Sequence, residues 1–505
     1  MPGGLGCGSV KSFKDPVHGY NDICSRVAKV VDAWFVQRLR WIRQTAQAYL
    51  VYHGMEHSRF NHSLGAAHLA REVLASIVGN TRLYYRGSGS DVASALEAAA
   101  EVFQLAALVH DLGHLPFSHS SEVGILDARL IYRVEGFEAI PAKHEEYTYS
   151  LLPLVAAEAE EAGIEPVFSN SLLTDLEYIL RGGPSPFHGP ATAWCVSNIL
   201  HKLVASGLDV DRMDYLLRDS IYAGVRYGVY DVDRLIRVLL ATPLILHDGV
   251  VDERHACNIA VLDKGVSILE TFLLARFYMF SEVYLHRVVE AYNSIHARLL
   301  GVLARDGVVT AMGGGGAVEI PLPGEIRDGR QEALEAWKQL DDNTMTLVYR
   351  QVAYGKLRAS QEAQRLAQML LERRHMRTYR VVEDKQLWAL YRSYLDSRTP
   401  EELGEAKPLL DELLEMQRDN PLLIIRPLRV DLVSLEEIGI YNRAEARVSS
   451  LGEAKEKELT RLRKLAELGL YRIAVFAPRS QEEEAERAVK LLNQLRQLLR
   501  QLQKR

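Results

Sequence analysis

ALEAAAEVFQLAALVHD, Ala95 to Asp111, spaces its apolar residues at intervals of three and four and ends on an adjacent histidine and aspartate. That spacing predicts a helix with a buried face, and Gly113 and Pro116 just beyond it supply the stop. A helix that ends on His110 and Asp111 aims both side chains rigidly yet leaves them open to a cavity. Working outward, GAAHLAREVLASIV (65–78) and AWCVSNILHKLVASG (193–207) repeat the same period, so the chain from about Val27 to Leu300 reads as an all-α core.

Breaks in the pattern fall at Gly87–Ser90, at Arg181–Gly189 and at Gly313–Gly316, where four glycines separate the β-prone runs VVTAM (308–312) and AVEIPL (317–322). This last pair is expected to form a hairpin leaving the helical region. Helical stretches then run to Tyr394, followed by the β-rich LLIIRPLRVDLVSL (422–435), a helix over EAKEKELTRLRKLAEL (453–468) and a strand at YRIAVFA (471–477). The expected architecture is mainly α: a helical core domain over 1–322, then a smaller α+β C-terminal region over 323–505 ending in a helix. In that helix Leu491, Leu495, Leu498 and Leu502 alternate four and three apart. This is the spacing of a coiled-coil seam, but two heptads are few, and packing on its own domain is the plainer expectation.

The 505-residue chain is 48% apolar, enough for a sizeable core, and sets 60 Lys+Arg against 66 Asp+Glu for a net charge of −6. An acidic balance argues against a stable nucleic-acid partner or an anionic membrane surface and leaves anion binding to local basic pockets. Cys7, Cys24, Cys195 and Cys257 show no CxxC spacing. Neither a disulfide framework nor a thiolate zinc site is therefore expected, and a reducing, cytoplasmic setting fits. The N-terminus has no charged segment leading into an apolar one and no apolar run reaches 18 residues, so neither a signal peptide nor a membrane span is expected.

His110 and Asp111 open HDLGHLPFSH (110–119), a run crowded with imidazoles. HGMEHSRFNHSLG (53–65) and DVDRMDYLLRDS (209–220) offer ligands of matching type. His62 falls in the first turn of a second helix, with Gly65 and Ala66 small enough for a close neighbour. In the third segment Asp209 can cap a helix on which Asp211, Tyr215 and Asp219 follow at i, i+4 and i+8, with Arg212 joining Tyr215 and Asp219 at i+3 and i+7. Burying such a face alone is costly, so a polar cavity, metal or ligand is its complement. A mixed nitrogen and oxygen set suits a divalent Mn, Fe, Zn or Mg ion without choosing among them. Such an ion polarises a phosphoryl oxygen and acidifies bound water. A lone His-Asp pair is most often structural, and His53, His68, His188, His201, His247, His255, His296 and His375 are read as surface or satisfied core groups.

KSFKDPVHG (from Lys11), VQRLRWIRQ (Val36), SRFNHSLG (Ser58), HDLGHLPFSH, KHEEYT (Lys143), DVDRMDYLLRDS, YLHR (Tyr284) and LDDNTM (Leu340) follow one another over roughly the first 350 residues. In that order they resemble the HD superfamily of metal-dependent phosphohydrolases, and within it the deoxynucleoside triphosphate triphosphohydrolases. The resemblance implies an HD-domain helical core and cleavage between the 5′-oxygen and the α-phosphorus, releasing a deoxynucleoside and inorganic triphosphate. It implies His62, His110, Asp111 and Asp211 as metal ligands, and Arg59, His114, His144 and Arg212 on the phosphates. His119 would be the catalytic histidine, Glu122 its acidic partner and His114 a further member of the catalytic group. Gln44, Tyr215 and Asp219 would contact the sugar. A nucleotide substrate and a homo-oligomer, tetramer or dimer, are implied too. So is a guanine-nucleotide effector site at a subunit interface, formed by Lys11, Asp32, Gln37 and Arg40. The chemistry agrees, since phosphoryl displacement asks mainly for positioning and charge neutralisation, and a 5′-alkoxide leaves readily only when protonated.

Departures from the family pattern limit the carry-over. Thr45 stands where the mammalian member has an apolar residue against the sugar's 2′ position, and Glu282 and Glu290 replace an arginine and a tyrosine that close its pocket, so neither base preference nor sugar discrimination follows. An HD phosphatase acting on nucleoside monophosphates or another phosphoester shares the same metal ligands and is the alternative. A nucleotide-sensing or nucleic-acid-binding protein without chemistry is the third reading, weakened by the intact ligand set and the acidic net charge.

Overall fold

A computed structural model describes residues 7–84, 88–182, 191–243, 257–397, 404–430, 438–445, 447–450 and 470–502. The expected helix over 453–468 and His188, His247 and His255 lie outside the described residues. The spine is the 26-residue helix Arg59–Tyr84, which packs against Ala100–Val109 and Val210–Ala223. The run from Ala95 to Asp111 is not one helix. Ser88–Ala98 and Ala100–Val109 meet at an angle of 54° because Ala99, at φ −84° and ψ 3°, leaves the helical basin. No single helix among the described residues is long and apolar enough to cross a membrane.

The mainly α core is followed by an α+β region, as the periodicity implies. Its antiparallel sheet has the order Arg377–Glu383, Leu470–Ala477, Ile424–Val430. Helices Lys385–Ser397, Lys407–Asp419 and Glu482–Leu502 pack with it. Leu491, Leu495 and Leu498 of the last helix join this second core, whereas Leu502 is exposed, so the leucine row packs on its own domain. Residues from Ile326 to Met376 belong to the first core and those from Val382 onward largely to the second. On packing we therefore propose the division near Arg377 rather than at residue 322. Asp127 clamps the two regions together by accepting from Arg298 Nε at 2.9 Å and from Arg426 at 2.6 and 2.7 Å, all three side chains being buried.

Two expectations are corrected. Val309–Ala311 and Val318–Ile320 do pair, but in parallel rather than as a hairpin. Gly313 and Gly315, at φ of +83° and +72°, let the intervening loop carry the chain back to the start of the first strand. The cysteines form disulfides, Cys7–Cys24 and Cys195–Cys257, with Cα separations of 5.6 and 5.0 Å across 17 and 62 residues. Sequence spacing carries no signal for pairs brought together by tertiary packing, and the cysteines cease to argue for a reducing compartment.

Candidate active site

Three helices deliver the central side chains. Arg59–Tyr84 carries His62 in its first turn, Ala100–Val109 ends on His110 and Asp111, and Val210–Ala223 carries Asp211. The third is capped as expected, with Asp209 accepting from the Arg212 amide at 2.8 Å. The first and third approach closely because residue 65 is glycine: a Cβ there would run into the side chains of Asp214 and Arg218.

His62 Nδ1 is tied to Asp214 Oδ2 at 2.8 Å and His110 Nδ1 to the Ala107 carbonyl at 2.8 Å. Both Nε2 atoms thus face one space, where they lie 3.0 and 3.7 Å from Asp211 Oδ1, and both are buried without a hydrogen bond. Donor atoms of His62, His110 and Asp211 all fall within 4.8 Å of one another. Two imidazoles with fixed outer nitrogens and inward, unsatisfied Nε2 atoms beside a carboxylate fit a divalent metal. Asp111 stands at the edge of this set, its oxygens 3.4 Å from His110 Nε2 and 3.7 Å from His62 Nε2. One of those oxygens also accepts from Arg59. Burial opposes charge on His62, but Asp211 and Asp214 outweigh it and lift its pKa to about 10 in the metal-free state.

Behind His62 lies a buried ionic network that the sequence reading missed. Asp214 accepts from Arg218 at 2.8 and 2.9 Å and contacts His18 Nε2 at 2.7 Å, and Arg218 reaches Asp15 at 2.9 Å. Asp15 and His18 come from the antiparallel hairpin of Val10–Asp15 and Gly19–Cys24. The pair Asp214 and Arg218, at i and i+4, was visible as a helical ion-pair spacing. Its link to the hairpin was not.

In front of this candidate metal cluster, Glu122 joins two imidazoles, meeting His119 Nδ1 at 3.0 Å and His144 Nδ1 at 2.7 Å. Burial would raise the Glu122 pKa, but the two histidines hold it well below the usual carboxylate range. Glu122 in turn raises the His119 pKa. His114 stacks on His144 at 3.7 Å, and burial, with Arg59 and His144, drives its pKa well down, so it is neutral. The loop before His119 places Phe117 and Ser118 at φ of +57° and +54°, where non-glycine residues are strained by about 1–3 kcal/mol each. Asp342 Oδ1 accepts from the Phe117 amide at 2.7 Å and Ser118 Oγ donates to the Arg43 carbonyl at 2.8 Å, holding that geometry.

These groups line one cavity of about 690 Å³, a size suited to a small ligand. Its walls include Gln44, Thr45, Arg59, His114, His119, His144, Arg212, Tyr215 and Asp219, so the structure brings the expected substrate residues together; Glu122 borders it through His119 and His144. Three of the five N–H donors of Arg59 are engaged, by Ser118 Oγ at 2.8 Å, the Gln44 carbonyl at 3.3 Å and Asp111. Both oxygens of Asp219 are engaged, by His57 Nε2 and the Tyr284 hydroxyl, each at 2.6 Å. Gln44 Oε1, Thr45 Oγ1 and Arg212 Nε are buried without partners. Arg276 and Arg429, unremarked in the sequence, also line the cavity, Arg429 from the C-terminal sheet, and so does Glu290, whose pKa burial pushes up to about 7. Lys11, Asp32, Gln37 and Arg40 lie apart: Lys11 Nζ is 3.9 Å from Asp32 on the surface, and Arg40 Nε donates to Gln37 Oε1 at 2.7 Å.

Residues 59–166 match the family described as HD domain. The chain is 29% identical to the Bacillus subtilis protein YwfO over 291 residues, covering 57% of this chain and 55% of that one. It is also 29% identical to the deoxynucleoside triphosphate triphosphohydrolase SAMHD1 of Gallus gallus over 290 residues, 55% of this chain and 43% of that one. The chain thus spans about half the length of these relatives. A crystal structure of a phosphohydrolase from Bacteroides thetaiotaomicron superposes with a TM-score of 0.63 at 23% identity, covering 93% of this chain and 100% of the other, and shows the shared fold. Residues 59–166 therefore carry an HD domain, which supplies His62, His110 and Asp111, while Asp211 reaches the same site from the sequence beyond it.

Proposed function

We propose that the protein hydrolyses deoxynucleoside triphosphates to deoxynucleoside and inorganic triphosphate. The observation that carries this reading is one roomy cavity in which a His62, His110 and Asp211 cluster adjoins more basic side chains than a monoester requires, Arg59, Arg212, Arg276 and Arg429 among them, with the His144 imidazole beside them. The 29% identity to SAMHD1 of Gallus gallus over 290 residues and the HD-domain match of residues 59–166 support it. A divalent metal held by His62, His110 and Asp211, with Asp111 at its edge, would supply Lewis acidity and an activated water.

The chain's own residues account for the rest. Arg59 and Arg212 neutralise charge on the phosphates, and Gln44 and Tyr215 line the sugar side, where Asp219 is pre-set by His57 and Tyr284. Glu122 occupies Nδ1 of His119, which leaves Nε2–H to protonate the departing 5′-oxygen. His114, buried and neutral, positions His144 by stacking. A guanine nucleotide at Lys11, Asp32, Gln37 and Arg40, bound between subunits of a homo-oligomer, would activate the enzyme. A nucleotide substrate places the protein in the cytoplasm, where two disulfides are unusual outside hyperthermophiles.

The decisive experiment presents dNTPs, NTPs and nucleoside monophosphates with Mn, Fe, Zn or Mg and resolves triphosphate, pyrophosphate and phosphate. Triphosphate release is expected. Orthophosphate from monophosphates, with dNTPs untouched, would instead establish the HD phosphatase alternative.

A further inference from the structure

Six arginines are buried among the described residues. Arg38 donates to the carbonyls of Trp337, His114 and Leu340, and Arg59, Arg218, Arg298 and Arg426 each pair with a carboxylate. Arg276, on the helix Val266–Tyr278, is the exception. It is only 7% exposed, its Nε is enclosed without a partner, and its side chain makes no hydrogen bond or ion pair with any described residue. Its guanidinium carbon lies 5.6 Å from the centre of the Phe280 ring.

A buried cation without a directly paired counter-charge is destabilising unless something completes it. Burial depresses the Arg276 pKa and the neighbouring Arg212 guanidinium adds to this, whereas Tyr215, Asp209 and Asp211 oppose it from beyond ion-pair distance. Two adjacent cations on one cavity wall, one with no partner and the other with an unsatisfied Nε, call for a polyanion. Asp209, the carboxylate that does pair with Arg212, is itself turned into the protein as the cap of its helix and is fully buried.

We propose that Arg276 is a substrate-binding residue that, with Arg212, grips the phosphate chain and makes the cavity select polyphosphates over monophosphates. The planar guanidinium fork suits non-bridging phosphate oxygens. This rests on the polyphosphate reading of the cavity, so the test uses inorganic tripolyphosphate, whose binding needs no turnover.

Calorimetry on the metal-loaded, full-length protein should show tripolyphosphate affinity falling on the order of ten- to hundredfold in Arg276→Gln and less in Arg276→Lys, with a smaller loss for orthophosphate. Because the arginine has no protein partner to abandon, the ligand-free Arg276→Gln protein should melt no lower than wild type. A role in folding alone would lower Tm and leave the ratio of tripolyphosphate to orthophosphate affinity unchanged, and that result overturns the proposal. So does wild-type protein that fails to bind tripolyphosphate. Arg276-dependent tripolyphosphate binding in a protein that releases no triphosphate from any dNTP would sustain the proposal while removing the proposed reaction.

Discussion

The two sides of His62 differ in kind. Behind it, Asp214, Arg218, Asp15 and His18 saturate one another at 2.7 to 2.9 Å. In front of it, within one cavity, His110 Nε2, Arg212 Nε, Arg276 Nε, Gln44 Oε1 and Thr45 Oγ1 are buried without a hydrogen bond, as is His62 Nε2 itself, which faces the Asp211 carboxylate. Buried polar groups in folded proteins are nearly always satisfied. A cluster of exceptions beside a fully satisfied network marks where the molecule expects something that is not protein. The satisfied side fixes the His62 imidazole; the unsatisfied side is the candidate binding surface.

The largest expected effect is on the unsatisfied side. Asp211→Ala removes the carboxylate on which both Nε2 atoms converge, and turnover should vanish together with stoichiometric metal, read by elemental analysis and product assay. A variant that retained metal and near-normal kcat would show that the orphaned atoms are not a metal site. On the satisfied side, Asp214→Asn removes the carboxylate charge that Arg218 and His18 Nε2 share and leaves Arg218 only Asp15. Stability should fall by about 3–5 kcal/mol, and metal affinity should drop about 10- to 100-fold because His62 loses its orienting partner. Unchanged chemical denaturation would mean the network is ornamental to the fold.

How much of this was legible in the sequence divides along the same line. His62, His110 and Asp211 could be read because each sits at a helix end or first turn, where local pattern fixes direction. The partnership of His18 and Asp15 with Asp214 and Arg218 spans about two hundred residues and depends on how a hairpin docks, which no local period encodes. The disulfides were hidden for the same reason. Phe117 and Ser118 adopt positive φ without the glycine that would have flagged it. Arg276 looks like any cation on a helix until its surroundings show that no described residue forms a hydrogen bond or ion pair with its side chain.

A smaller effect is expected one shell out. His119→Ala should lower kcat by about 10² to 10⁴ while keeping metal, and Glu122→Gln should cost less. The pH profile sharpens this. Glu122 holds the His119 pKa above the ordinary imidazole value of about 6.5, so the acid form persists above that pH and kcat falls only as pH rises through the elevated value. Removing the carboxylate charge in Glu122→Gln should move that alkaline limb to lower pH. A limb that stays in place, or a His119→Ala protein that has lost its metal, would assign His119 a different role.

The smallest effect belongs to the surface, where neither side of the comparison reaches directly. Lys11 and Asp32 form an exposed pair at 3.9 Å, with side chains 53% and 73% accessible, and such pairs contribute at most about 1 kcal/mol to stability. Asp32→Ala should therefore leave Tm, metal content and basal turnover as they are. Arg40, however, lies with its guanidinium 3.6 Å over the ring of Phe60, next to Arg59 in the first turn of the helix that holds His62. A guanine nucleotide bound at Lys11, Asp32, Gln37 and Arg40 would thus act on the turn that presents Arg59 to the cavity and Asp111. It would favour the assembled oligomer by mass action. Turnover of dATP should rise about 5- to 150-fold on adding GTP, the span of ordinary allosteric coupling, with a shift to larger species in sedimentation, and Asp32→Ala should abolish both responses. Equal dATP turnover with and without GTP, at protein concentrations that dissociate the oligomer, would leave those four residues no part in regulation.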